Sequence, residues 1–413
     1  MDIFRSKRPF ILDGATGTEL MKAGMPAGVC GEQWVLDHPE TLINVQRGYI
    51  EAGSDAILAS TFSANRAKLG GYGLGDQVAD INRRLVEVSK RAVAEADCGG
   101  RRIYIGGEFT TTGLFIPPYG DTPFEEIIDI YREQGEALVE AGVDFLCFST
   151  MRSLWECRAG LLAVRDLGLP VIASISVEST GRTMMGASLP SCVVTLQALG
   201  AAAVGVNCCE GPEGLDELLY RAAVCAKVPL IAKPNSGKPD PDHPGHFGLN
   251  VEQFAAEMRR LTDAGASIIG GCCGSTAEHI RAISTLEPVE RESCADCEIC
   301  ANESSVFFLP DEPSGLSLSE PITCSYSLED DIIDLEDERV NVAVVSVETE
   351  EDAMLLSEAA PMARLPIMIR AADADVLDKA LLNFHGRAMV DSGSDVEPAL
   401  LREISAKYGA VVY

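Results

Sequence analysis

Basic residues are scarce in this chain. Against 63 Asp and Glu stand only 33 Lys and Arg, giving a formal net charge of -30 and a pI of about 4.5. Nucleic-acid binding needs clustered cations, so this balance argues against it. Small molecules, or proteins with basic patches, fit better as partners. Long apolar runs are also absent: no stretch approaches the 18 or so residues that a membrane-spanning helix needs, so no membrane association is expected. The start, "MDIFRSKRPFILDGATG", lacks an apolar core and a cleavage site, and so does not read as a signal peptide. A cytoplasmic location is expected, where thiols stay reduced.

What is present, against that background, is cysteine: 14 in 413 residues. In a reducing compartment most of these are expected as small buried hydrophobes, Cys147, Cys157 and Cys225 among them, with metal binding the sharper reading for any cluster.

Up to about Leu286 the chain repeats one theme. A short apolar run ends in a Gly, Thr, Asn or Cys cluster, and an amphipathic helical pattern follows. The runs are "FILDGATG", "DAILASTF", "IYIGGEF", "DFLCFST", "PVIASIS", "AAVGVNC", "LIAKPNSG" and "IIGGCCG". Near-continuous apolar character predicts parallel strands buried on both faces. The stretch "PFEEIIDIYREQGEALVEAG" predicts a helix, with Thr122 and Glu125 as a capping box and the following glycine as its C-cap. "AGSD" and "AGAS" carry the same stop. Eight such units predict an α/β fold, a (β/α)8 TIM barrel, with an open doubly wound sheet as the runner-up. The barrel is preferred because the polar and glycine-rich clusters recur at nearly all strand ends, and a barrel gathers those ends at one mouth.

The domain reading is a barrel over 1–287, an acidic, cysteine-containing linker over 288–338 with at most short strands, and a small partial parallel α/β unit of about four strands over 339–413.

Two cysteine doublets fall at strand ends: Cys208 and Cys209 after Asn207, and Cys272 and Cys273 between glycines. On a barrel they face the same mouth. Three thiolates suffice for one Zn2+ per chain with a fourth position open, the mark of a catalytic site. Zinc lowers the pKa of a bound thiol, so a small-molecule thiol there becomes a nucleophile for an activated methyl group. Glycines beside the doublet let ligands and backbone crowd together.

The motifs "ILDGATGTEL", "AGSDAILASTFSANRAKL", "GVNCCEGPEG", "KPNSG" and "IIGGCCGSTAEHI" together resemble the zinc-dependent homocysteine S-methyltransferases, over roughly residues 8 to 286. That family includes the homocysteine domain of cobalamin-dependent methionine synthase and betaine–homocysteine methyltransferase. The resemblance implies a (β/α)8 barrel and a methyltransferase (a transferase of methionine biosynthesis) with homocysteine as acceptor. It implies zinc held by Cys208, Cys272 and Cys273, with Cys209 a neighbour, and Asp13, Gly14 and Ala15 as the segment that binds the amino-acid backbone. Asn207 is expected either to fix the geometry around the metal or to satisfy loop backbone. "DGATGTEL" is not a phosphate loop, because no Gly-Lys-Ser/Thr follows.

One departure concerns substrate recognition. After strand four the family typically carries a glutamate that resembles the anchor for the substrate's ammonium group, and here Ser149 stands in that place, with Ser153 where a second acid is common. A serine offers no full counter-charge. Either another acid such as Glu108 takes over, or the thiol is not ordinary homocysteine, or the amino group is bound only weakly.

The last 75 residues resemble the middle of a pterin-binding barrel, the folate domain of methionine synthase, with Arg370-Ala371 and Asp391-Ser392 in place of the usual Asp-Ser and Asn-Ser. That points to a remnant used for dimerisation or for docking a methyl-donor protein, and leaves room for a homodimer. No cobalamin-binding Asp-x-His-x-x-Gly stretch occurs, so methylcobalamin would arrive on a partner corrinoid protein; betaine-like or S-methylmethionine-like donors are the alternative. Cys294, Cys297 and Cys300 stand at CxxCxxC spacing, either free thiols or a second metal site. They support a rival reading, an Fe–S or redox-linked barrel. A third reading is a non-catalytic docking subunit of a corrinoid methyl-transfer system.

Overall fold

The computed structural model of the chain describes residues 3, 4, 9–117, 119–240, 242, 245–287, 297–310 and 315–413. Eight parallel strands run β1 (Phe10–Ile11), β2 (Ala56–Leu58), β3 (Tyr104–Phe109), β4 (Phe145–Met151), β5 (Val171–Ile175), β6 (Ala203–Asn207), β7 (Leu230–Lys233) and β8 (Ala266–Ile269). Each pairs with its sequence neighbour from β2 to β8, and β8 returns to β1. The expected barrel is present. Its last seam, β1 to β2, is closed largely by carboxylates. Asp55 N–H donates to Ile11 O at 2.7 Å, Ile11 N–H donates to Asp55 Oδ2 at 2.9 Å, and Leu58 N–H donates to Asp13 Oδ2 at 2.8 Å.

Alternate residues of each strand face the barrel axis. At the amino ends these are apolar: Phe10, Ala56, Phe145, Ile172, Ala203, Ile231 and Ile268 form one cluster, with Phe4 wedged against Phe10 and Phe145 at 5.4 Å between ring centroids. Gly106 leaves the space that the Phe145 ring fills, since a Cβ there would lie 2.5 Å from it. At the carboxyl ends the same registers turn polar: Glu108, Ser149, Ser174, Asn207 and Lys233. A packed floor below and a polar mouth above follow from this single change along each strand.

The helix stops fall where the glycines predict them, with Gly53, Gly142 and Gly265 at φ 115°, 81° and 113°. One cap differs. The helix Phe124–Ala141 begins after Pro123, without a side-chain cap, so Thr122 lies outside it. Thr122 N–H instead donates to Phe115 O at 3.1 Å and ties down the preceding loop. No helix among the described residues is long and apolar enough to cross a membrane.

The stretch read as a linker is built into the second unit. β9 (Ile299–Ala301) and β10 (Val306–Phe308) form an antiparallel hairpin, its turn held by Asn302, whose Oδ1 accepts from Ser304 and Ser305 N–H. β11 (Ile322–Thr323) is the first strand of a sheet continued by β12 (Ala343–Val347), β13 (Ile367–Ala371), β14 (Met389–Val390) and β15 (Val411–Val412), parallel and in sequence order. The sheet thus has five strands where about four were expected, and it begins inside 288–338. One face packs Val345, Val347, Ile367, Ile369 and Val390 into the main core, and the other packs Val344, Met368 and Met389 against Cys300 and Leu309 of the hairpin region.

The two units share a packed junction. Arg158, fully buried on the barrel helix Leu154–Val164, donates to Leu381 O and Leu382 O, the unpaired carbonyls ending the helix Ala374–Asn383. That places a cation at a helix C-terminus, where the dipole favours it. Burial lowers the Arg158 pKa to about 10.

Candidate metal centre

Cys208 follows β6 directly, and Cys272 and Cys273 follow β8 after two glycines. Their sulfurs lie within 4.8 Å of one another, and Cys208 Sγ is 3.9 Å from Cys273 Sγ. Tetrahedral zinc with bonds of about 2.3 Å sets its sulfur ligands about 3.8 Å apart, so the three thiols fit such an ion. Among the described residues this is the one group of three metal-ligating side chains. Cys209 is buried and turned away, its thiol against Asn207 O at 3.7 Å. Gly274, at φ 82°, follows Cys273 where a Cβ would strike Phe247 and Ser236 at 2.2–2.4 Å; the crowding expected beside the doublet is real.

The loop geometry is held by a few side chains. Cys208 and Thr150 both adopt left-handed backbone, at φ 52° and 57°, which costs a non-glycine residue about 1–2 kcal/mol. Asn207 offsets that cost. Its Oδ1 accepts from Thr150 N–H at 2.7 Å and Ser174 Oγ at 2.8 Å, and its Nδ2 donates to Thr150 Oγ1 at 2.8 Å. Cys273 N–H donates to Asn235 Oδ1 at 3.0 Å, and Cys208 N–H to Lys233 O at 3.2 Å.

The thiols are electrostatically unequal. Hydrogen bonds from Cys208 and Cys272 push Cys273 down to about 3, and the shared hydrogen bonds push Cys208 well above the thiol range; Cys272 is lowered by its bond with Cys208, but its bond with Cys273, burial and the Cys273 charge push it up to about 11. A divalent cation bound among the three thiols would draw off their protons.

These cysteines line a cavity of ≈ 680 Å³ at the barrel mouth, with Asp13, Glu108, Asn207 and Lys233. Lys233 is the feature that the sequence reading left without a role. Its Nζ lies 3.3 Å from Asp13 Oδ1 and 3.3 Å from Gly14 O, and the residue is buried. Burial opposes its charge, but Asp13, then Cys272 and Glu108, outweigh that and hold its pKa above the usual lysine value. Burial raises Asp13, with Lys233 pulling back. Burial likewise pushes half-buried Glu108 up to about 8. Ala15 N–H is taken by Ser275 Oγ at 3.1 Å, and Gly14 packs under the Tyr49 ring. Ser149 is buried beside Glu108, its Oγ 3.3 Å from Cys147 Sγ. The signal for Lys233 was its place at the carboxyl end of strand seven, on an inward register.

Of the CxxCxxC thiols, the structure packs Cys297 and Cys300 into two different clusters. Cys300 is buried with Leu309, Val342 and Met389, Cys297 packs with Val194 and Cys225, and Cys294 lies outside the described residues.

The sequence profile of the homocysteine S-methyltransferases matches residues 10–286. The chain belongs to this family. Methionine synthases of Mycobacterium tuberculosis and Mycobacterium leprae are each 26% identical to it over 453 and 460 aligned residues. The alignments cover 98% of this chain and 38% of theirs, so the chain spans under half the length of these relatives. The homocysteine methyltransferase MmuM from Escherichia coli superimposes in its metallated form with a TM-score of 0.56 at 25% identity, covering 68% of this chain and 96% of that one. Its oxidized form gives 0.57 at 24% identity over 67% and 94%, a likeness of fold.

Proposed function

We propose that this family member is a zinc-dependent S-methyltransferase that moves a methyl group onto the thiol of homocysteine. The observation that carries the reading is the Cys208–Cys272–Cys273 trio at the mouth of the barrel, spaced for one tetrahedral ion. Zinc held by these three residues would leave a fourth position open and supply the Lewis acidity that keeps an acceptor thiol ionised near neutral pH. The chain's own residues supply the rest. Lys233 sets a buried positive charge near the anionic sulfurs. Asn207 fixes Thr150 and the turn at Cys208, so the wall of the cavity and the metal ligand move as one piece. The acceptor sulfur attacks the methyl carbon in line; the new S–C bond forms as the donor departs with the old bonding pair. Alignment in a walled site supplies much of the acceleration.

The cavity is larger than an amino acid requires, which suits a donor presented from outside. Similarity to methionine synthases over both units supports a methyl-corrinoid protein as that donor. The second unit would then serve docking rather than pterin binding, because Arg370 Nε donates to Asp391 Oδ2 at 2.6 Å and ties up both strand-end side chains.

The test is metal removal. The zinc-loaded protein is expected to methylate homocysteine from free methylcobalamin or a corrinoid protein, to lose transfer on chelation and to regain it with zinc. Transfer indifferent to chelation, or none with any donor, would overturn the reading.

A further inference from the structure

Three carboxylates line the cavity: Asp13, Glu32 and Glu108. Two are committed. Asp13 gives one oxygen to Leu58 N–H in the barrel seam and the other to Lys233. Glu32 accepts from Ser63 N–H at 2.8 Å and from the Cys30 thiol. Glu108 meets the Ser149 hydroxyl, the favourable field of Lys233 and the opposing fields of Asp13 and Cys272. It projects from the carboxyl end of β3, on the inward register, and pairs across the sheet with Cys147. Ser149 is the next inward residue of β4 and lies beside it. Glu108 thus lines the cavity, and Ser149 lies buried against it on the adjacent strand.

We propose that Glu108 is the specificity-determining anchor for the ammonium group of the acceptor, and that in this chain the anchoring charge has moved from the end of β4, where Ser149 stands, to the end of β3. The proposal rests on the reading of the site as one for an amino-acid thiol. Ser149 acts with Glu108 as a hydroxyl partner that favours the ionised carboxyl. In the free cavity, burial, Asp13 and Cys272 work against that charge and Lys233 works for it. An arriving ammonium adds a second, closer positive charge, which ionises Glu108 as it binds. The acceptor class is thus a short thiol carrying a free α-amino group, and loss of that group leaves the half-buried carboxyl without its partner.

The experiment measures equilibrium binding of homocysteine and of its desamino analogue, 4-mercaptobutyrate, to the zinc-loaded full chain by calorimetry at mildly alkaline pH. Binding is read directly, so no methyl donor is needed. The wild type is expected to prefer homocysteine by roughly tenfold to hundredfold, the range for a charge-assisted hydrogen bond. Glu108→Gln should bring the ratio near unity, and the double variant Glu108→Gln/Ser149→Glu should restore it by returning the carboxylate to the neighbouring strand. Equal binding of both thiols by the wild type, or an unchanged preference in Glu108→Gln, would overturn the proposal and leave the methyltransferase reading standing. Binding of neither thiol would overturn both.

Discussion

Cys208→Ser is expected to reduce bound zinc from one ion per chain to none and to cut methyl transfer about 10³-fold, equivalent to about 4 kcal/mol of lost barrier reduction. Cys208 supplies one of three sulfurs and sits on a turn whose strain is balanced by Asn207. A serine oxygen is a harder and shorter ligand, so two sulfurs would be left to hold the ion. Cys209→Ala is the paired control. Its thiol faces Asn207 O and not the cavity, so zinc should stay at one per chain. Metal analysis of both variants beside the wild type reads the result.

Lys233→Met should destabilise the fold by about 3–5 kcal/mol, the usual cost of leaving one member of a buried ion pair alone. Asp13 would lose the cation that pairs with it while remaining fixed by Leu58 N–H in the β1–β2 seam. Urea unfolding measures the loss. The pH dependence has a definite sign. Burial already holds the Asp13 pKa above its ordinary value, and removing Lys233 raises it further. A carboxyl raised in the folded state binds more protons folded than unfolded, so the variant's stability falls as pH rises from the acid side through that pKa. Adding Asp13→Asn should recover most of the loss, and the double-mutant cycle should show strong coupling.

The barrel and its trio of thiols were legible because both are written in short, repeated patterns. Eight apolar runs ending in small or polar residues have few other folds available. Two cysteine doublets at strand ends left little choice once those ends converged. The linker was harder to read, since its acidity and prolines masked a hairpin. "EICANESSVFF" carries two short strands around a turn organised by Asn302, and the open face of the second sheet and the barrel residues Val194 and Cys225 give them something to cover. Lys233 escaped notice for a related reason. A lysine at the end of an apolar strand looks like a surface residue until closure of the barrel points it at Asp13. Thr122 misled because a good capping pattern lay one residue too early, before a proline. The hairpin and Lys233 were cases where a long-range partner decided a local feature.

The most direct test of the central claim is X-ray absorption at the zinc edge, on the zinc-loaded full chain before and after adding homocysteine. The account predicts three sulfurs at about 2.3 Å with one lighter ligand at first, and four sulfurs once the thiol is present. A first shell dominated by nitrogen or oxygen, or a shell that homocysteine leaves unchanged, would contradict it.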